Sequence, residues 1–277
     1  MSAPLRLNLW SGPRNVSTAL MYAFAQRADT RALDEPLYGH YLARSGAPHP
    51  GAAEVMAAMD CDGARVVRRV LLGPCDRSVL FCKHMAHHLL DLDRGFLEQG
   101  VNVLLTRHPR EVLPSLAKNL ESPTLRDAGY AVQVELLEAE LARGVAPIVL
   151  DARLTLEDPE GVLRALCARV GLAFDPAMLR WAPGPKPFDG VWAPHWYANA
   201  HRSTGFKPYR APIKAVPGAL AAVYEACLPY YERLVAYAIG AEAGEKRQEA
   251  GDRRREAGNG GRPNGRKAHG DAISDFI

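Results

Sequence analysis

The chain has 277 residues, 48% hydrophobic and 23% charged, the balance of an ordinary globular core in one large domain or two small ones. A formal net charge of +3, with basic and acidic residues interspersed, argues against a nucleic-acid surface, though a few placed Arg and Lys suffice for a small anion. Five cysteines, Cys61, Cys75, Cys82, Cys167 and Cys227, form no CxxC and no paired Cys/His spacing, which argues against a zinc site and a disulfide framework and favours buried structural thiols.

The first strand begins within a few residues of Met1 and no apolar run approaches the ~20 residues of a membrane span, so a cytoplasmic protein without signal peptide or membrane partner is expected. Leu5, Leu7 and Leu9 alternate with Arg6 and Asn8 up to Trp10, a short strand opening an α/β sheet. The turn Ser11-Gly12-Pro13 follows, then Arg14, Asn15 and Val16. Ser17 and Thr18 are N-cap candidates for a helix whose apolar face carries Leu20, Met21, Phe24 and Ala25. Unpaired N–H groups and the helix dipole make such a loop attractive to phosphate or sulfate, and Arg14 adds a full charge. The same residues also fit an ordinary strand–turn–helix corner. The loop lacks the second Gly and the Lys of a Walker A sequence, which disfavours nucleoside triphosphate hydrolysis.

A second strand is expected at about Arg31–Leu33, ended by Asp34-Glu35-Pro36. Glu35 then lies at the carboxyl edge where open α/β sheets bind ligands, as a general base or acceptor-binding group, or as a turn carboxylate. Two short helices, Ala53–Met59 and Ala64–Leu72, precede the apolar run Val79–Cys82, a buried parallel strand with Lys83 and His84 at its carboxyl end. There His84 could take a proton from an acceptor and Lys83 balance charge, while His87 and His88 read as helix-surface residues. Cys82, beside His84, is the one thiol worth testing for reactivity.

The next unit repeats the pattern. Val101–Leu105 is a buried strand, Thr106–Pro109 a turn, and a helix follows with Glu111 in its first turn. Arg107 at the strand end and Ser115 eight residues on could grip one phosphate. A helix over Tyr130–Arg143, a strand Ile148–Leu150 with Asp151 at its end, and a helix from Pro159 to Val170 closed by Gly171 complete the regular part. Residues 181–209, rich in Pro, Gly and aromatics and including Trp192, His195, Trp196 and Tyr197, read as a functional lid or as packing against the core. Ala219–Ile239 is a last amphipathic helix, so residues 1–240 form one domain and 241–277, low in complexity, a disordered tail.

Taken together, SGPRNVST, FCKHM, TRHPREVLPS and VLDARLTLEDPEGVLRALCARVGL resemble the sulfotransferase family, whose P-loop NTPase-like fold is a three-layer α/β/α sandwich around a central parallel sheet. The resemblance, spanning about Leu5–Leu172, implies a 3'-phosphoadenosine 5'-phosphosulfate (PAPS) donor held by residues 12–18 and by Arg107 and Ser115. It further implies in-line transfer of the sulfuryl group to a hydroxyl or amine of a small-molecule acceptor, with no metal. Arg14 takes the position of the family's essential basic residue, Ser17 and Thr18 its hydroxyl pair, and His84 its base, with Glu35 as the other candidate. Glu35, Lys83, His84, His195 and Trp196 are then expected around the acceptor. Val16 stands where the family has Gly, Ala19 where an aromatic is frequent, and the C-terminal RKG is missing, with Arg202 and Lys207 of HRSTGFK in its place. A catalytically silent nucleotide- or partner-binding module is the alternative, and a P-loop small-molecule kinase a third.

Overall fold

The computed structural model describes residues 3–118, 120–211 and 215–240; the expected tail, 241–277, lies outside the described residues. Five strands, β1 (Leu5–Ser11), β2 (Thr30–Asp34), β3 (Val79–Met85), β4 (Val101–Thr106) and β5 (Ile148–Asp151), form one sheet in the order β2-β3-β1-β4-β5. Every pairing is parallel. Strands buried on both faces must be apolar on both, and they are. Leu7, Leu9, Phe81, Val103, Leu105, Ile148 and Leu150 fill one core layer, while Trp10, Leu80, Cys82, Leu104 and Val149 fill the other.

Helices α1 (Ser17–Phe24), α2 (Tyr38–Ser45), α3 (Ala52–Ala58), α4 (Gly63–Val66), α5 (Pro109–Leu116), α6 (Leu125–Ala128) and α7 (Tyr130–Ala142) lie between the strands, and α8 (Ala152–Glu157) and α9 (Pro159–Arg169) follow β5. Short α10 (Ala193–Trp196) and α11 (Ala198–His201) precede the long α12 (Ala221–Val235). The first layer buries Leu20, Met21 and Phe24 of α1 and Val162, Leu163 and Leu166 of α9. Tyr130, Leu136 and Leu137 of α7 join Cys227, Tyr231 and Leu234 of α12 in the second. The result is the expected three-layer α/β/α sandwich.

Local differences have physical causes. Helix α1 starts at Ser17 with Val16 as its cap residue and no side-chain cap bond, so neither Ser17 nor Thr18 is the N-cap. The expected helix over Ala64–Leu72 is α4 running into a π-helical turn at Val67–Leu71. Lys83 and His84 do not follow β3 but lie inside it, because the backbone ladder continues to pair Trp10 with His84 and Ser11 with Met85. His87 and His88, expected on a surface, are buried in a 3-10 turn directly after β3. Helix α12 stops short of the expected Ile239, and Ala238 instead bridges Val149 on β5. Among the described residues no helix is long and apolar enough to cross a membrane.

Phe81 stacks on Phe24 with ring centroids 4.4 Å apart, joining β3 to α1 within the first core layer. Truncating a buried Phe removes its transfer free energy and leaves a cavity. Phe81→Ala is expected to lower the unfolding free energy by about 3–5 kcal/mol in urea titration; a loss under about 1 kcal/mol would contradict this packing.

Candidate functional site

The order β2-β3-β1-β4-β5 sends the chain from β1 toward β2 in one direction and from β4 toward β5 in the other. The crevice between the carboxyl ends of β1 and β4 is therefore the topological switch point, the place where such sheets bind ligands. Gly12 begins the loop there because a Cβ would sit 2.4 Å from the Ala128 carbonyl oxygen. Arg14 holds a left-handed backbone, φ 57°, uncommon for a side-chain-bearing residue and costing about 1–3 kcal/mol. The surroundings over-determine that conformation. Asn15 donates to the Leu105 carbonyl at 3.1 Å and accepts from the Val16 N–H at 2.8 Å. The Arg107 guanidinium donates from Nη1 to the Arg14 carbonyl at 3.0 Å.

Arg14 Nε donates to Ser115 Oγ at 2.8 Å, and among the described residues the hydroxyl proton of Ser115 has no acceptor. Arg107 Nε pairs with Glu111 Oε2 at 2.9 Å, one turn on in α5, and Glu111 also accepts from Tyr209 Oη at 2.9 Å. Thus Arg14, Arg107 and Ser115, chosen from two separate sequence stretches, come together. Burial, and then the neighbouring Arg107 charge, hold the Arg14 pKa below its ordinary value. Among the described residues Arg107 has a carboxylate partner and Arg14 has none, so the group carries excess positive charge facing the loop. An anion relieves that repulsion.

A second polar group forms at the ends of β2 and β3. Lys83, 1% exposed, donates from Nζ to Asp34 Oδ1 at 2.9 Å, to Glu35 Oε1, and to Tyr197 Oη at 2.6 Å. Tyr197 Oη lies 2.8 and 2.9 Å from the two Asp34 oxygens. Glu35 takes φ 44°, a second strained position at the same sheet edge. Burial pushes the Glu35 carboxyl above its ordinary range despite Lys83, because one ammonium cannot compensate two carboxylates. For Lys83, burial works against the charge, yet Asp34 and Glu35 together hold it protonated.

The structure does not bring His84 to this group. Strand alternation turns it to the opposite face from Lys83, where it is fully buried, stacks on Trp10 at 4.1 Å and lies 3.2 Å from Asn8 Oδ1. Burial, then the Lys83 charge, lowers its pKa to about 3. His195 is exposed and lies against Gly51, and Trp196 lies beside His49, so the residue of this segment that reaches Lys83 is their neighbour Tyr197. Arg202 bonds to Asn199 within its own segment, and Lys207 is exposed; of the expected basic segment it is Tyr209 that contacts the Arg107 group, through Glu111. Glu111 was legible as an i,i+4 partner of Arg107, whereas Tyr197 and Tyr209 carry no local signal.

Comparison with known proteins bears on this geometry. The sulfotransferase domain family matches residues 5–238. The chain belongs to the sulfotransferase family. It is 38% identical over 229 residues to branched-chain-amino-acid aminotransferase-like protein 2 of Arabidopsis thaliana, and 37% identical over 235 residues to protein 1 of that name. These matches cover 82% and 84% of this chain but 41% and 42% of the relatives, so the chain spans about two-fifths of their length. The sulfotransferase domain of the Synechococcus PCC 7002 olefin synthase superposes with a TM-score of 0.50 at 20% identity, covering 80% of this chain and 94% of that one. That likeness is one of fold, the P-loop NTPase-like sandwich of sulfotransferase domains. Within the family pattern, Val16 in place of Gly brings no backbone strain, because its φ is −87° and the left-handed position falls on Arg14 instead.

Burial raises the Cys82 thiol to about 12 and that of Cys227 to about 11, and Cys167 is raised and buried as well. Thiolate is the reactive species. In native protein at pH 8, an aromatic disulfide reagent is expected to label half-buried Cys61 and Cys75 first, with Cys82 reacting only on unfolding; prompt Cys82 labelling by peptide mass mapping would contradict the burial.

Proposed function

We propose that this sulfotransferase-family protein uses PAPS as donor and transfers its sulfuryl group to a hydroxyl or amine of a small-molecule acceptor in the cytoplasm. The observation that carries the reading is the convergence of two guanidiniums and a serine hydroxyl, Arg14, Arg107 and Ser115, on the β1/β4 crevice. Arg107 and Ser115 serve the 3'-phosphate, and the loop of Gly12, Pro13, Arg14, Asn15, Val16, Ser17 and Thr18 serves the 5'-phosphosulfate at the N-terminus of α1. Helix N–H groups and a cation favour an anion there.

In the transfer, an S–O bond to an acceptor hydroxyl, or an S–N bond to an amine, forms as the S–O bond to the donor's bridging oxygen breaks, and charge grows on the leaving phosphate. Arg14 and the loop N–H groups neutralise that charge, an effect worth about 10²–10³ in rate per well-aimed donor. Glu35 takes the acceptor's proton. Its position at the β2 edge and its raised proton affinity support it over His84, whose ring is packed under Trp10. A carboxyl base must be ionised to act, so the rate is expected to rise with pH through the elevated Glu35 pKa and then level off.

Calorimetric binding of 3'-phosphoadenosine 5'-phosphate, compared with AMP and with ATP plus magnesium, tests the donor assignment. Wild type should favour the 3'-phosphorylated nucleotide, and Arg107→Ala should weaken that ligand about 10–100-fold, the size of a lost charge-assisted bond, and weaken AMP by less, because the same side chain also braces the loop through the Arg14 carbonyl. Equal affinity for AMP, or tighter binding of ATP with magnesium, would overturn the reading.

A further inference from the structure

Residues 186–209 cross the carboxyl edge of the sheet as a strap, tied there at two points besides the Tyr209–Glu111 bond and the contacts of its own segment. At one, Asp189 accepts from Tyr22 Oη at 2.9 Å on α1 and lies 3.0 Å from His201 Nε2. At the other, Gly190 N–H donates to Asp34 Oδ2 at 3.1 Å and Tyr197 enters the buried Asp34–Lys83–Glu35 group. The first point closes the strap on itself and on α1. The second connects it to the residue that the proposed function gives the acceptor's proton.

The hydrogen-bond count at that second point is closed. An ammonium has three protons, and those of Lys83 are directed at Asp34, Glu35 and Tyr197. The Tyr197 oxygen accepts from Lys83 and lies 3.4 Å from Trp192 Nε1, so its single proton is left for a carboxylate. Asp34 is the nearer, with Glu35 Oε1 at 3.5 Å. Deleting the phenol oxygen would take a donor from Asp34. The Lys83 proton released from Tyr197 would turn to Asp34, which has lost its phenol donor and already bonds the ammonium at 2.9 Å, drawing Nζ away from Glu35.

We propose that Tyr197 is a positioning residue which, through Asp34 and Lys83, keeps the Glu35 carboxylate ionised and aimed when the strap is docked on the sheet edge. This rests on the sulfotransferase reading and adds to it a link between the strap and the proton-accepting step. The charged and titratable groups around Glu35 agree with that role. Lys83 on β3 is the one cation of the group, Asp34 on β2 a competing anion, and Tyr38 on α2 a neutral phenol. His84 and His88, behind Lys83, are held neutral by burial. Tyr22 on α1, facing Asp34 and Lys83, stays protonated. Removing Tyr197 therefore leaves Asp34, among the described residues, with the Lys83 ammonium and the Gly190 N–H as its donors.

The test has two independent readouts. Titration of carboxyl-labelled Glu by carbon NMR, with the Glu35 signal assigned from Glu35→Gln, reads Glu35 without donor or acceptor. Tyr197→Phe should raise its midpoint by about half a pH unit or more, the scale of one hydrogen bond. Placing 3-fluorotyrosine at 197, a stronger donor of the same shape, should move it down. The acidic limb of the kcat profile should follow both shifts, up for Phe and down for fluorotyrosine. A midpoint unchanged in both variants, or kcat reduced with the limb fixed, would overturn the proposal and leave Tyr197 a packing residue. Should the sulfotransferase reading itself fail, nucleotide binding and turnover would be missing while the NMR shifts persisted, so the two failures are distinguishable. The fluorotyrosine arm keeps the test decisive if Tyr197→Phe does not fold.

Discussion

The Arg107 guanidinium donates to the main-chain carbonyl of Arg14, and that bond fixes the loop after β1 against the turn after β4. It brings two like charges into one crevice, which would be unfavourable without support. The support comes from side chains bonded to backbone. Asn15 reaches the Leu105 carbonyl, and Gln133 of α7, wholly buried, donates to the carbonyls of both Trp10 and Leu105. Glu111 offsets Arg107 while Arg14 is left to Ser115. The strain in the Arg14 backbone and the excess positive charge are thus stored where an anionic ligand would relieve the second without disturbing the first.

The Asp34–Lys83–Glu35–Tyr197 group at the neighbouring strand ends obeys the same logic with the signs reversed. A buried ion pair gains little stability over an apolar core unless its hydrogen bonds are complete. Here the ammonium is fully engaged, yet two carboxylates share it. Burial, with the Asp34 charge beside it, raises the proton affinity of Glu35 at the strained end of β2 despite Lys83. An excess of positive charge at β1/β4 and an under-compensated carboxylate at β2/β3 sit on one sheet edge, which suits a reaction that holds an anionic donor and removes a proton from a neutral acceptor.

Most of the fold was legible because its strands are apolar runs closed by turn residues, and their order could be matched to helices of ordinary period. Arg14, Arg107 and Ser115 were legible for a related reason: each follows a strand end at a fixed offset. What escaped was set by tertiary packing. His84 read as a strand-end residue because the apolar run stops at Cys82, whereas pairing with Ser11 carries the strand on to Met85. His87 and His88 read as surface because nothing local shows that Tyr38 and Tyr41 of α2 cover them, with His88 stacked on Tyr38 at 4.8 Å and on Tyr41 at 4.7 Å. Tyr197, 163 residues from Asp34, has no periodicity that points to it. Among the aromatics of that segment only the three-dimensional path chooses it over His195 and Trp196.

The most direct measurement is a crystal structure with 3'-phosphoadenosine 5'-phosphate bound. The account expects the 3'-phosphate within hydrogen-bond distance of Arg107 and Ser115, and the 5'-phosphate against the loop of residues 12–18 with Arg14 turned to it. Nucleotide density elsewhere, or a 3'-phosphate that touches neither Arg107 nor Ser115, would contradict it.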